Sequence, residues 1–237
     1  MNRQPSSFGF SEVELLVAIS VIAIFATLAV PSAYYESGRS PQIRALANAK
    51  QIGLACKLFA SDYKGNYPTN LLDENGKLTA TPPSSSNDAL SQLIPDYIPD
   101  KKIFWLPEDH FYCSPNPPES PRNSASLTAR DRILAAGENH WAYVTNLSER
   151  SNPNLPLIAD PTIPGTTEYS FGKHTAGGTW RGKKAIVIRV DTSGVIENVN
   201  QRTMTVSQES PALADIFQAG QKNWLGPENK FLNPKFR

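Results

Sequence analysis

An apolar run near the N-terminus constrains this chain more than any other feature. The run extends from Val13 to Val30 and contains a single charged residue, Glu14. As an α-helix it would be roughly 27 Å long, close to the hydrocarbon core of a bilayer at about 30 Å. Four interpretations compete: a secretory signal peptide, an ordinary membrane anchor, a buried core helix, and the hydrophobic stem of a filament subunit.

Acidic residues argue against the first two interpretations. A signal peptide has a basic region that passes directly into an apolar stretch, whereas here Glu12 and Glu14 intervene. The small residues that signal peptidase requires would place the cleavage site near Ala33. Pro31 would then occupy the third position before the cut, which makes a poor signal peptidase substrate. An anchor must accommodate Glu14, and a carboxylate costs about 2.5–3.5 kcal/mol at the centre of a membrane helix, though less near the interface.

The residues around this run resemble the type IV pilin and type II secretion pseudopilin family. The resemblance lies in Gly9-Phe10-Ser11-Glu12-Val13-Glu14-Leu15-Leu16-Val17, followed by apolar residues and Pro31. It implies that a prepilin peptidase cuts after Gly9 and that Phe10 becomes the methylated N-terminus. It makes Glu14 the fifth residue of the mature chain and an assembly residue. Glu12 departs from the family pattern, which usually has an apolar residue there.

The spacing of these residues suits pairing between subunits. Phe10 and Glu14 are four residues apart and would lie about one helical turn apart on one face. The new α-amine of one subunit is a natural partner for the Glu14 carboxylate of a neighbour. In apolar surroundings such a pair fixes the register, because an unpaired charge is costly there.

Beyond the run, helix-breaking residues predict a bend or break near residues 31–41, since Pro31, Gly38 and Pro41 all fall there. A second helical stretch then has an apolar stripe at steps of three and four residues. Its members are Ala45, Ala49, Ile52, Cys56, Phe59 and Tyr63. The segment 48–68, NAKQIGLACKLFASDYKGNYP, resembles a pseudopilin-like subfamily common in Planctomycetes and Verrucomicrobia relatives.

The second half of the chain predicts short strands. The strongest signal is a hairpin of 185–190 and 195–199 joined through Asp191-Thr192-Ser193-Gly194. We therefore expect an α+β fold, in which a long N-terminal hydrophobic helix carries a small head with an antiparallel β-sheet and proline-rich loops. The expected divisions are a leader at 1–9, a transmembrane or assembly helix at 10–31, a lower stem helix at 32–65 and a globular head at 66–237.

The two cysteines, Cys56 and Cys113, lack the CxxC spacing of redox and zinc sites. They form either a disulfide that ties the helix to the head or two buried thiols. A disulfide suits a protein outside the cytoplasm, and free buried cysteines are common in folded proteins.

Nothing in the sequence predicts an enzyme, a metal site or a cofactor. The three histidines, His110, His140 and His174, are scattered without HExxH spacing, so a site would have to be assembled from distant loops. Calcium would require the fold to gather oxygen ligands from a set that is far apart in the sequence: Asp160, Asp191 and Glu197. Without Arg3 of the leader, 22 basic residues balance 22 acidic ones, so no nucleic acid partner is expected.

The resemblance implies a non-enzymatic structural subunit of a type IV pilus-like or type II secretion pseudopilus filament. Its partners would be the prepilin peptidase, identical or related subunits and the inner membrane. It would be a single-pass inner-membrane protein with its head in the periplasm or on an extracellular filament. One alternative is a membrane-tethered minor pilin with a ligand-binding or adhesive head, favoured if Trp180 and Trp224 surround a groove. The other is a tethered periplasmic enzyme, which needs His140, His174 and acidic residues in one pocket.

Overall fold

The computed structural model describes residues 11–71, 79–119, 129–207, 214–220 and 224–237, with residues 25–40 and 129–130 described by their backbone alone. The chain divides into two compact units, Met1–Ile43 and Arg44–Arg237. Among the described side chains, every buried hydrophobic residue lies in the second unit, beginning with Ala45. The packed core therefore belongs to that unit.

One long helix, α1, extends over Glu12–Asp62 and comprises 51 residues. The predicted break near residues 31–41 is wrong, because Pro31, Gly38 and Pro41 all lie within this helix. A proline removes one backbone donor and crowds the preceding turn, at a cost of about 3 kcal/mol. That local loss does not end a helix whose turns on both sides keep their hydrogen bonds.

The prediction of a hydrophobic helix that spans the membrane is also wrong. Among the described residues, no helix is long and apolar enough to cross a membrane. The predicted single-pass inner-membrane localisation is therefore wrong.

The C-terminal part of α1 forms one wall of the core of the second unit. Its inward stripe is fully buried and consists of Ala45, Ala49, Ile52, Cys56 and Phe59. Close contact with the sheet requires a residue without a side chain at one point. A Cβ atom at Gly53 would lie 3.0 Å from Cγ2 of Ile188, so the glycine lets the helix approach the strand that contains Ile188.

Short helical segments follow α1. Helix α2 spans Ser86–Leu90 and has a capping box, in which the Ser85 hydroxyl accepts from the Asp88 amide and the Asp88 carboxylate accepts from the Ser85 amide. This reciprocal pair satisfies donors that a helix start would otherwise leave open. In the described part of the chain, short 3₁₀ helices follow at Ser91–Leu93, Lys101–Phe104 and Ala129–Arg132.

The second unit contains a five-stranded antiparallel sheet. Its strands are β1 (Ala142–Val144), β2 (Pro156–Ala159), β3 (Lys184–Arg189), β4 (Gly194–Asn198) and β5 (Phe231–Leu232). Their order across the sheet is β4-β3-β2-β1-β5. Strand β1 pairs with β2 through Ala142 opposite Ala159, which places the residues just before β1 close to those just after β2.

The predicted hairpin is confirmed by the pairing of β3 with β4, from Lys184 opposite Asn198 to Ile188 opposite Gly194. Alternate side chains of β3 enter different cores, as the two-residue period of a strand requires. Ile186 and Ile188 pack with the stripe of α1. Ala185 and Val187 pack with Tyr169 and further apolar residues in a second cluster. Both faces of β3 are therefore covered.

Candidate functional site

The first candidate site is the start of α1, which carries eight large apolar side chains exposed by 45% to 70%. They are Val13, Leu15, Leu16, Val17, Ile19, Val21, Ile22 and Ile24. With about 3.6 residues per turn, these positions cover the whole circumference of the helix rather than one face. A helix that is apolar all round is normally buried. This exposed segment, Val13 to Ile24, is named the assembly segment below, and it is an apolar surface of the kind that marks interaction sites.

Glu14 lies within this exposed segment, and its Oε2 accepts a hydrogen bond from the Ser11 amide at 3.5 Å. A carboxylate in the first helical turn interacts favourably with the positive end of the helix. The predicted processing residues, Gly9 and Phe10, lie outside the described residues. The role predicted for Glu14 in assembly stays a prediction.

Both cysteines are buried free thiols. Cys56 belongs to the inward stripe of α1, and burial raises the pKa of its thiol far above the ordinary value. Cys113 lies in the loop beside Gly137, and its Sγ accepts a hydrogen bond from the Leu106 amide at 3.4 Å. Burial likewise raises the pKa of the Cys113 thiol. Of the two alternatives from the sequence, the structure has the buried thiols.

The second candidate site is a buried charged cluster of Asp109, His140 and Asp160. Nδ1 of His140 lies 2.6 Å from Oδ2 of Asp109, and Nε2 lies 2.7 Å from Oδ1 of Asp160. The side chains of all three are at most 3% exposed. One imidazole thus bridges two carboxylates in the core, an arrangement that is stable only when both charges are compensated.

Further hydrogen bonds hold each carboxylate of the cluster. Oδ1 of Asp109 accepts from the amides of Phe111 and Tyr112, at 2.9 and 3.0 Å. Oδ2 of Asp160 accepts from Nε1 of Trp180 at 2.8 Å and from the amide of Ile186 at 2.6 Å. Each carboxylate therefore has three partners including the imidazole, and both orientations are fixed.

The surroundings favour a protonated His140. Burial by itself lowers the pKa of an imidazole, because the charged form loses its hydration. The hydrogen bonds and charges of Asp109 and Asp160 more than offset that effect and raise the pKa of His140 from 6.5 to about 9. The cluster then contains one cation between two anions.

Three separate parts of the chain supply this cluster. Asp109 lies in the loop after Lys101–Phe104, His140 precedes β1, and Asp160 follows β2. From the sequence, His140 was expected to be an ordinary histidine and entered only the tethered-enzyme alternative, together with His174, and Asp109 was not considered. The available signals were weak: Asp160 ends an apolar strand, and His140 adjoins Trp141, a fully buried residue.

The other two histidines form a separate pair. The rings of His110 and His174 lie 4.8 Å apart at their centres, and His174 is exposed. Burial, followed by the positive charges of Lys173 and His174, lowers the pKa of His110. His174 thus contacts His110, whereas His140 is held by two aspartates, so their contacts give no support to the predicted alternative of a tethered enzyme.

The candidates for calcium each have another partner. Asp160 binds His140, Asp191 accepts from the Ser193 amide at 2.7 Å, and Glu197 pairs with Arg189 at 2.9 Å. Nε1 of Trp180 donates a hydrogen bond to Oδ2 of Asp160. Trp224 is half-buried, and its Nε1 has no hydrogen-bond partner. These contacts do not place Trp180 and Trp224 around a common groove, which the adhesive-head alternative requires.

No family model, curated protein or solved structure matches the chain.

Proposed function

We propose that this protein is a structural subunit of a type IV pilus-like or type II secretion pseudopilus filament, matured by prepilin peptidase cleavage after Gly9 and methylation of Phe10. The observation that carries the proposal is the assembly segment, whose large apolar side chains are exposed on every side of α1. The leader-like residues before it support the same proposal through their resemblance to prepilins.

The proposed assembly would be driven by the removal of apolar side chains from water. Fully burying a valine, leucine or isoleucine contributes about 1.5–3 kcal/mol. Covering the eight side chains, which are already partly covered, would contribute on the order of 10 kcal/mol before the entropy of association is subtracted. A surface of this kind is a strong driving force for helix-to-helix association with other subunits.

Glu14 supplies the specific part of the proposed assembly. Apolar side chains bind without a preferred register, whereas a carboxylate among them must find a cation. Cleavage after Gly9 creates that cation, the α-amine of Phe10. Pairing between the amine of one subunit and Glu14 of the next joins two different patches, and repeated contacts of this heterologous type build an open filament.

Processing can be tested by intact mass and N-terminal sequencing of the protein from its native host, with and without prepilin peptidase. We expect a chain starting at methylated Phe10 in the parent and a full-length precursor in the strain that lacks the peptidase. A Gly9→Val variant should accumulate as precursor, whereas a Ser6→Val variant in the leader should be cut normally. A start at Met1 in the parent would contradict the proposal.

A further inference from the structure

The thiol of Cys113, a soft candidate metal ligand, lies beside the charged cluster. Asp109, Cys113 and His140 each have one candidate ligand atom within 4.8 Å of those of the other two, and all three residues are buried. They offer an oxygen, a sulfur and a nitrogen. Such a mixed set suits a borderline-soft divalent ion, and zinc is the usual choice among thiolate, imidazole and carboxylate ligands.

Outer contacts already orient each of these three groups. The Leu106 amide donates to Sγ of Cys113, and the amides of Phe111 and Tyr112 donate to Oδ1 of Asp109. Supporting bonds of this kind characterise metal sites, where ligands are themselves held by hydrogen bonds. On Asp109 they leave Oδ2, whose partner is Nδ1 of His140, as the ligand atom, and Sγ of Cys113 keeps further lone pairs beside the bond from Leu106.

Asp160 completes the arrangement from the other side of the imidazole. Its Oδ1 lies 2.7 Å from Nε2 of His140, and its Oδ2 is fixed by Trp180 and Ile186. A carboxylate on one ring nitrogen holds the proton there and directs the lone pair of the other nitrogen outward. For His140 the other nitrogen is Nδ1, which faces Asp109 and presents its lone pair once its proton is displaced.

We propose that this cluster is a structural zinc site, with Asp109, Cys113 and His140 as ligands and Asp160 as the positioning residue for His140. Zinc takes the place of the proton shared between Nδ1 of His140 and Oδ2 of Asp109, and the Cys113 thiol loses its proton to become a thiolate. Binding therefore releases two protons. The ion joins the loop that contains Asp109 and Cys113 to the residue before β1.

The burial of the ligands makes the site structural rather than catalytic. Asp109 is 4% exposed, Cys113 1% and His140 0%, so no substrate reaches them in this conformation. An ion that binds the folded chain more tightly than the unfolded chain stabilises the fold. The expected effect of zinc is therefore a higher melting temperature, with no hydrolytic activity.

The full chain tests the proposal, untagged and kept in solution with a mild detergent that covers the assembly segment. After purification without chelators, elemental analysis should find about one zinc per chain. Cobalt added to the chelator-treated protein should produce the charge-transfer absorption of a thiolate ligand. Asp160→Asn should weaken zinc binding on the order of 10–100-fold, as for other supporting carboxylates.

The two buried cysteines provide a matched control. Cys113→Ser should remove the thiolate band and most of the bound zinc, whereas Cys56→Ser should keep both, although each replaces a buried thiol. If Cys113→Ser fails to fold, the parent alone decides: zinc must raise its melting temperature and magnesium must not. Absence of stoichiometric zinc in the parent, or an unchanged cobalt spectrum in a folded Cys113→Ser variant, would overturn the proposal.

Discussion

His140 and Asp160 meet at 2.7 Å between Nε2 and Oδ1, where one residue precedes β1 and the other follows β2. These strands pair through Ala142 and Ala159, so the charged contact lies beside the end of the β1–β2 ladder. Asp109 then attaches an outer loop to the same imidazole. The stability of the second unit should therefore depend strongly on this one side chain.

Replacing His140 with alanine should destabilise the fold by about 3–5 kcal/mol, because it removes the cation between two buried carboxylates. Urea unfolding followed by tryptophan fluorescence measures the change. His174→Ala is the control, since that ring is exposed and should cost less than about 0.5 kcal/mol. Equal losses in the two variants would show that the buried cluster carries no special stability.

The stability of the chelator-treated protein should fall as the pH rises from about 6.5 to about 9. The pKa of His140 is raised by folding to about 9, so its contribution is complete below the unfolded value near 6.5 and is lost as the pH passes the folded value. The loss is on the order of 3 kcal/mol. Urea midpoints across this range measure it, and in His140→Ala this pH dependence should largely disappear.

Glu14→Ala should reduce filament formation on the order of tenfold or more, because it leaves the α-amine of Phe10 without a partner in an apolar interface. Glu12→Ala is a matched control, since two residues along a helix lie on nearly opposite sides. Quantitative immunoblotting of sheared filaments measures assembly, and near-ultraviolet circular dichroism verifies the fold. Equal defects in both variants would contradict a specific role for Glu14.

Substitutions at Gly165 and Gly177 allow the cost of backbone strain to be measured separately from the cost of a steric clash. Gly165 and Gly177 have φ angles of +75° and +71°, but an added Cβ meets nothing within 4 Å at Gly165. At Gly177 it meets three backbone atoms at 3.1–3.2 Å. Gly165→Ala should cost about 1–2 kcal/mol from conformation alone, and Gly177→Ala should cost more. Thermal unfolding measures both, and equal losses would refute the steric argument.

Local patterns predicted the parts of the fold that depend on neighbouring residues. The hairpin of β3 and β4 follows from two apolar strands joined by a short turn, and the stripe of α1 follows from helical spacing. The predicted break of α1 failed because proline and glycine set a local preference, whereas the continuity of a helix depends on the turns around them.

The charged cluster could not be predicted in the same way. Its hydrogen bonds join residues 31 and 20 positions apart, and no sequence period links a loop aspartate to residues at the ends of two strands. Sequence reasoning named His140 in the tethered-enzyme alternative and Asp160 as a possible calcium ligand, but it did not bring the two residues together. The assembly segment differs, because its apolar composition is evident from the sequence without any tertiary contact.

The edges of the sheet limit the ways in which copies of this protein can join. Strand β5 has only two residues, and β4 at the other edge has five, including the charged Glu197. Such short or charged edges discourage a foreign strand from extending the ladder. Polymerisation by sheet extension, the route to amyloid-like fibres, is thereby disfavoured, and ordered association is left to surfaces that present side chains rather than open backbone.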